Sequence, residues 1–366
     1  MILPHLTKYF EDFLKEIRLT EDQRSAIIEA HTTLRERIGE DEQLSDHVVS
    51  TFLQGSYKRS TIIKPAEGQA SDVDVVVVTN FDESLYAPSQ ALDEFIPFLE
   101  KHYRGAYKQQ GRSWGIHLPD AEMDLVPTSA PSEAEQACTE RRHLDLGTTV
   151  EELTDDALLK RRYSSMDASC LVDEVSAGDD WREEPLRIPD REAQEWEDTD
   201  PISQINWTID KNKSCNGHYV NVVKAIKWWW RTKHPNKKYP KGYPLEHLVG
   251  DCCPDGIASV AEGVVSVFEK IASDYGRKPF LKDRGLPEND VMAHVSEEDY
   301  AMFHNAVVDA ASVARTAYDA SDERAATEKW RELFGDEFPL AKEWKEKAAF
   351  TKRTAGGTTL AGGRFA

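Results

Sequence analysis

The sequence predicts an α+β protein with two lobes, in which a mixed sheet with flanking helices is followed by a helical second lobe. One observation behind this prediction is the valine-rich run from Asp72 to Val78, because strands are rich in β-branched residues. The other is the helical spacing of apolar residues at the amino terminus, which returns throughout the second half. A chain of 366 residues can bury a large core and divide into two lobes.

The amino-terminal stretch predicts two helices. Apolar residues from Tyr9 to Ile17 recur at helical spacing. Thr20 and Gln23 form a capping box, which indicates the start of a second helix that continues to Ile38. Residues 46–53 then form a short approach to the turn that precedes the valine-rich strand.

Beyond the valine-rich strand, the spacing predicts one helix over residues 89–103 and two short strands over residues 103–118. Asp124 lies in a further apolar segment that we read as another strand. Because proline cannot donate to a ladder of strands, we expect Pro127 to close it.

The second half predicts helices after a poorly patterned stretch. Residues 129–201 are charged and rich in turns, with one short strand at Leu186–Pro189, and we assign them to the outer sheet and the crossing between lobes. Asn212 or Ser214 is expected to cap a helix that carries Trp229, and prolines then predict a loop over residues 235–244. Further helices are predicted at Glu246–Val249, Val260–Ser273, Glu297–Tyr318 and Asp322–Phe334.

These patterns divide the chain into three parts. Residues 1–200 are predicted to form a lobe that contains the sheet and the amino-terminal helices, and residues 201–350 a helical lobe. Residues 351–366 contain two Gly-Gly pairs and little apolar surface, so a flexible tail is predicted there.

The charge of the chain restricts its partners. There are 45 basic and 66 acidic side chains, which gives a formal charge of −21. Binding to long nucleic acids or anionic membranes relies on basic side chains, so neither is an expected partner. Small nucleotides that arrive with Mg²⁺ remain compatible with this charge. The five cysteines show no disulfide framework, and no long apolar run or signal segment is present, so we expect a cytoplasmic protein.

Two carboxylates on the valine-rich strand indicate a metal site. Asp72 and Asp74 lie on the same face, because successive side chains of a strand alternate, and the valines between and after them face a core. Hard divalent cations prefer such oxygen ligands. Asp124 is the candidate for the third carboxylate that a pair of metal ions requires.

A turn just upstream, opened by Gln54, predicts phosphate binding. Gly55 accepts backbone conformations that other residues resist, and the amides beside Ser56 can then point at phosphate oxygens. Lys58 and Arg59 are the nearby cations. In an extended turn one of them would face the site and the other solvent, and the sequence leaves open which.

The order Gly-Ser, then Asp-Val-Asp, then Met-Asp-Leu-Val-Pro resembles the catalytic core of polymerase-β-like nucleotidyltransferases. Within that superfamily the chain looks like the bacterial cGAS/DncV-like nucleotidyltransferases (CD-NTases), which make cyclic oligonucleotide signals in anti-phage (CBASS) operons. The resemblance implies a bilobal fold with a nucleotide cleft. It is specific over residues 54–78 and 122–128 and diffuse elsewhere.

The resemblance also implies roles for individual residues. Two Mg²⁺ ions, which Mn²⁺ could replace, would lie between Asp72, Asp74 and Asp124, with Asp124 on the side of the attacking hydroxyl. Lys227 would reach the triphosphate and Tyr243 would stack on a base. Gly242 stands where the family usually has a serine, so no hydroxyl contact is expected there.

The implied substrates are ATP and other NTPs, and the implied product is a cyclic di- or trinucleotide that contains adenine. A downstream effector would then recognise the product. Three alternatives stay open: synthesis of linear oligoadenylate, transfer of a nucleotide to tRNA or protein, and an inactive nucleotide-binding scaffold. The Gly-rich tail would suit attachment by a ubiquitin-transfer-like ancillary enzyme, or it is a frayed end without a role.

Overall fold

The structure, a computed structural model, describes residues 6–130 and 185–341, so the predicted tail at 351–366 lies outside the described residues. The chain begins with helices α1 (Leu6–Ile17) and α2 (Glu21–Glu40) and then alternates strands with short helices. These are β1 (Val48–Gln54), α3 (Gly55–Lys58), β2 (Ser71–Thr79), α4 (Pro88–Asp93), α5 (Ile96–His102), β3 (Tyr107–Gln109), β4 (Trp114–His117) and β5 (Ala121–Ser129).

After residue 185 two more strands are followed by helices. The elements are β6 (Leu186–Asp190), β7 (Glu195–Thr199), α6 (Pro201–Ser214), α7 (Tyr219–Lys233), α8 (Gly242–Cys252), α9 (Val260–Asp274), α10 (Glu297–Asp319) and α11 (Glu323–Phe334). This order confirms the predicted α+β class, with a mixed sheet first and a helical half second.

The described strands form one mixed sheet with the path β1-β2-β5-β4-β3, to which β6 and β7 are joined beside β5. The pair β2 and β5 is parallel, and the other pairs are antiparallel. The two central strands are therefore the ones that carry the predicted catalytic aspartates.

Each face of the sheet has its own core. Val73, Val75 and Val77 are fully buried beneath α2, α4 and α5, as the alternation predicts. On the opposite face Val76 and Val78 are buried with Leu186 of β6. The aspartates share this second face, at the end of β2 where the apolar cover stops.

The helical half has a separate core, and α1 belongs to it. Phe13 stacks on Phe334 with ring centroids 4.5 Å apart, and Phe10 packs edge-on against Trp330 at 4.9 Å. Helix α2 packs instead on the sheet. The amino-terminal helices thus contact both halves, and the predicted boundary at residue 200 stays a prediction.

Some of the helix boundaries predicted from the sequence agree with the structure and others do not. Thr20 and Gln23 form the predicted capping box. The single helix predicted over residues 89–103 is wrong: α4 and α5 are separate, with Pro97 in the first turn of α5, where its missing N–H costs no hydrogen bond.

Three further boundaries differ from the predictions. Strand β5 continues through Pro127 to Ser129, so Pro127 does not close it. Asn212 and Ser214 lie in or at the end of α6, which the sequence reading missed. Helix α8 begins at Gly242 rather than Glu246, because Pro244 falls in the first turn, where proline is tolerated.

Candidate active site

The turn after β1 brings the backbone against β2, the strand that carries Asp72 and Asp74. Gly55 has a φ of +74°, and a Cβ at this position would lie 1.7 Å from Oδ2 of Asp74. Only glycine therefore suits this position. The backbone amides of Thr61 and Ile62 donate to the carbonyl of Ser56 at 2.9 and 3.1 Å and close the turn.

The turn itself is helical rather than extended, which changes the prediction for the two cations. Lys58 and Arg59 lie at the end of α3, and both are buried, with 0% and 5% of their surfaces exposed. Neither therefore faces solvent. Arg59 lines the cavity described below, and Lys58 is not among the residues that line it.

The three predicted carboxylates share one sheet face. Asp74 and Asp124 are register partners in the parallel pair β2 and β5, and Asp72 is paired with Glu122 one step away along the face. The side chain of Gln110 donates to Oδ1 of Asp124 at 2.9 Å. The hydroxyl of Ser113 donates in turn to Gln110 at 2.6 Å, which fixes the amide.

Burial, together with repulsion from neighbouring carboxylates, raises the pKa values of these three aspartates. Burial, with Asp74, Asp124 and Glu122 nearby, raises the pKa of Asp72 to about 8. Burial and Asp124 raise the pKa of Asp74 to about 6, although Arg59 opposes this shift. Burial also raises the pKa of Asp124. A divalent cation would relieve this repulsion, because opposite charge favours the ionised forms.

The donor set fits a divalent cation, but the side chains are not arranged around one. Within residues 6–130 and 185–341, no group of three or more His, Cys, Asp or Glu side chains is placed to hold a metal ion. The fit rests instead on three carboxylates that share a face and on their raised pKa values. Gln110 occupies only Oδ1 of Asp124, so Oδ2 remains available as a metal ligand.

The helical half contributes a buried charge network. Oε2 of Glu246 on α8 accepts from Nε of Arg59 at 3.0 Å, and its Oε1 accepts from Nζ of Lys227 on α7. Lys227 also donates to the carbonyl of Thr61 at 3.2 Å. Burial alone would raise the pKa of Glu246, but the two cations lower it to about 2. The network joins the two halves of the protein.

Tyr243 lies in the first turn of α8 rather than in a loop. Its hydroxyl donates to Oδ2 of Asp283 at 2.5 Å, and the guanidinium of Arg59 lies 5.2 Å from its ring centroid. A Cβ at the neighbouring Gly242 would stand 3.4 Å from Cε and Nζ of Lys227, which leaves little room for a larger side chain.

A cavity of about 430 Å³ lies between the halves, a size typical of small-molecule sites. The predicted residues that line it are Gln54, Gly55, Ser56, Arg59, Asp74, Lys227 and Tyr243. Asp72, Asp124 and Lys58 are not among its lining residues. The structure thus brings the predicted phosphate turn, one of the three predicted catalytic aspartates and the two predicted residues of the helical half to a single cavity.

Other lining residues were missed in the sequence: Arg112, Asp198, Thr199, Gln204, Glu246, Asp283, Leu286 and Asn289. One signal was available, since Asp200 followed by Pro201 indicates the start of α6, which carries Gln204. Strand β7 lacks apolar alternation, and Glu246 resembles an ordinary polar position of a helix. No local pattern distinguishes these residues.

No helix in the described part of the chain is long and apolar enough to cross a membrane. The profile of the Second Messenger Oligonucleotide or Dinucleotide Synthetase (SMODS) domain matches residues 5–145.

Two relatives match nearly the whole chain. The chain is 42% identical over 352 residues, 92% of each protein, to a cyclic AMP-AMP-GMP synthase of Enterobacter hormaechei subsp. hoffmannii. It is 40% identical over 379 aligned positions, 99% of this chain and 100% of the relative, to a probable cyclic AMP-AMP-GMP nucleotide synthase of Salmonella paratyphi B.

A solved structure supports the fold. The CD-NTase CdnG of Bradyrhizobium diazoefficiens in complex with GTP superposes with a TM-score of 0.64 at 12% identity, covering 91% of this chain and 96% of that one. With relatives above 30% identity over almost its full length, the chain belongs to the cGAS/DncV-like nucleotidyltransferases and is an enzyme that makes a cyclic oligonucleotide second messenger from NTPs.

Proposed function

We propose that this enzyme joins ATP and GTP into cyclic AMP-AMP-GMP with Mg²⁺ as its metal. The observation that carries the proposal is the identity of 40% or more to two relatives of that name over nearly the whole chain. The product agrees with the sequence-based expectation of an adenine-containing cyclic di- or trinucleotide.

Different residues of the cavity bind different parts of the nucleotide. Gln54, Gly55 and Ser56 hold the β- and γ-phosphates at the turn, and Arg59 and Lys227 supply positive charge beside them. Tyr243 offers its ring to a base, a contact typically worth ~1–3 kcal/mol. Lys58 supports the turn from within, because it is fully buried.

Asp72, Asp74 and Asp124 would hold two Mg²⁺ ions. When bound, such a pair stabilises the entering and leaving oxygens of an in-line displacement at phosphorus. The carboxylate of Asp124, beside Asp74 in the register of the sheet, would accept the proton of the attacking hydroxyl. Little covalent work is left to the protein, so positioning and charge neutralisation dominate.

The proposal is tested by incubating the pure protein with Mg²⁺, ATP and GTP labelled at the α-phosphate and treating the products with phosphatase. A ring has no terminal phosphate, so its label should resist release, and its mass should equal two AMP units and one GMP unit. A linear product would release only the label of its 5′-terminal nucleotide and would keep the labels in its phosphodiester bonds. Partial release from the product would therefore reject cyclisation and favour linear synthesis, whereas complete release would show that no nucleotides had been joined.

A matched variant assigns the chemistry to the carboxylates. Asp72→Asn with Asp74→Asn should abolish product while the protein keeps its circular dichroism spectrum. Unchanged yield of product in this variant would reject the metal assignment. In the labelling experiment with wild-type protein, label that stays on the protein would favour nucleotide transfer to protein instead.

The remaining sequence-based expectations concern the role of the protein in the cell. A cytoplasmic location, a role in anti-phage defence, an effector that recognises the product and conjugation of the tail at residues 351–366 stay predictions. A mass spectrum of the protein isolated from its host tests the last of these, since conjugation would add the mass of a partner to the carboxyl terminus.

A further inference from the structure

The segment between α9 and α10, residues 280–291, forms one wall of the cavity. Asp283, Leu286 and Asn289 of this loop line the same cavity as Asp74 and Tyr243. Because the hydroxyl of Tyr243 donates to Asp283 of this wall, the wall adjoins the predicted base platform and would meet the base end of a bound nucleotide.

The carboxylate of Asp283 organises this wall. Its Oδ2 accepts from the hydroxyl of Tyr243 at 2.5 Å, and its Oδ1 accepts from Nε2 of Gln204 at 3.2 Å. Oδ1 also accepts from the backbone amides of Gly285 and Leu286 at 2.7 and 3.2 Å. A carboxylate with four donors has a fixed orientation, and it ties α6 and α8 to the loop.

The rest of the loop is anchored as well. The guanidinium of Arg284 lies 3.9 Å from the ring centroid of Trp207 and pairs with Asp251. A Cβ at Gly285 would stand 2.5 Å from the carbonyl oxygen of Asp200, so the backbone packs tightly there. A wall built in this way is preorganised before a nucleotide binds.

A short path of hydrogen bonds joins the base platform to Asn289. Tyr243 donates to the carboxylate of Asp283, and the backbone amide of Asp283 donates to the carbonyl of Asn289 at 2.9 Å. Asn289 is exposed, and in the part of the chain that the structure describes its side-chain amide has no hydrogen-bond partner. The amide therefore offers one donor group and one acceptor beside the platform.

We propose that Asn289 determines base specificity by reading adenine, and that Asp283 is a positioning residue that holds Tyr243 against this wall. This inference rests on the proposed function. An asparagine amide pairs with adenine in two hydrogen bonds, accepting from the exocyclic amine and donating to N7. Guanine presents two acceptors, O6 and N7, at the same edge, so the amide oxygen of Asn289 would face another acceptor.

The first test measures equilibrium binding of the α,β-methylene analogues of ATP and GTP with Mg²⁺. Asn289→Ala should weaken binding of the ATP analogue about 5- to 100-fold and leave the GTP analogue nearly unchanged. Asn289→Arg should favour the GTP analogue, because arginine pairs with O6 and N7. Glu288→Gln, at an exposed neighbour that does not line the cavity, should change neither affinity.

Equal weakening of both analogues in Asn289→Ala, or no change in either, would overturn the reading of adenine. Failure of the proposed function is recognised separately, because wild-type protein would then yield no cyclic product from ATP and GTP. A wild type that makes the ring while the Asn289 variants keep its selectivity refutes the inference alone.

The second test is a double-mutant cycle between Tyr243→Phe and Asp283→Asn, read as KM and kcat for ATP. If Asp283 acts through the tyrosine hydroxyl, Asp283→Asn should raise KM when Tyr243 is present. In the Tyr243→Phe background the factor by which Asp283→Asn raises KM should be at least fivefold smaller. Full additivity would overturn the positioning role. Tyr243→Phe removes the hydrogen bond from the tyrosine hydroxyl and leaves the other hydrogen bonds of Asp283 in place. If Asp283→Asn fails to fold, the rise in KM of the Tyr243→Phe variant alone tests the hydrogen bond between the two residues.

Discussion

Gly55 and Asp74 lie so close together that a Cβ at residue 55 would stand 1.7 Å from Oδ2 of the aspartate. The turn at Gly55 and strand β2 are thus packed against each other with no space for a methyl group. The left-handed φ of +74° at Gly55 reinforces this requirement.

Gly55→Ala should therefore lower the rate of product formation about 100-fold or more, since a displacement of ~1 Å in a reacting group costs that much. Gly68→Ala is the matched control: its φ of +77° is equally left-handed, but a Cβ there would meet nothing within 4 Å. Both variants should lose some stability through backbone strain, while only the first loses activity. Equal activity of the two variants would contradict the close packing at Asp74.

The pH dependence of stability should report the crowded carboxylates. The pKa of Asp72 is raised to about 8, whereas an unfolded chain ionises an aspartate near ~4. Between these two pH values the folded state keeps a proton that the unfolded state releases. The contribution of Asp72 to the free energy of unfolding is therefore fully present below about pH 4 and is lost as the pH rises towards 8. In metal-free buffer with EDTA, Asp72→Asn should raise Tm at pH 8 and reduce the fall in Tm between pH 5 and pH 8. An identical fall in both proteins would refute the shift.

Magnesium should stabilise the folded protein in the absence of nucleotide. A free Mg²⁺ concentration of 100 times Kd adds about 2.7 kcal/mol to the free energy of unfolding. Thermal unfolding detects this stabilisation as a rise in Tm. The variant that combines Asp72→Asn with Asp74→Asn should lose this rise, and NaCl at the same ionic strength should not reproduce it. A magnesium effect of the same size in the variant would place the metal elsewhere.

Glu246→Gln should destabilise the protein by about 3–5 kcal/mol, because it removes the carboxylate that pairs with both Arg59 and Lys227 while these two cations stay buried. Urea unfolding measures this loss. Glu269→Gln is the control, since the pair of Glu269 with Arg315 lies at the surface and such pairs contribute about 0–1 kcal/mol. Similar losses in the two variants would show that the Glu246 network stabilises no more than a surface pair.

Much of the secondary structure in the half that contains the sheet could be predicted from the sequence, because its signals are local. The alternation that puts Asp72 and Asp74 on one face is a property of any strand, and the buried valines between and after them confirm it. The capping box at Thr20 works in the same way, over a single turn of helix. Boundaries at prolines were less predictable, since Pro127 continues a strand and Pro244 begins a helix.

The residue pattern alone predicted the groups of the site: two carboxylates on one strand face, a glycine turn before them and a third aspartate downstream. Which distant residues meet there depends on tertiary packing. The parallel register sets Asp124 beside Asp74, and the packing of the helical half brings Glu246, Asp283 and Asn289 to the cavity. Periodicity and capping act within a few residues of each other, whereas contacts between elements depend on how whole faces pack, which no local pattern records.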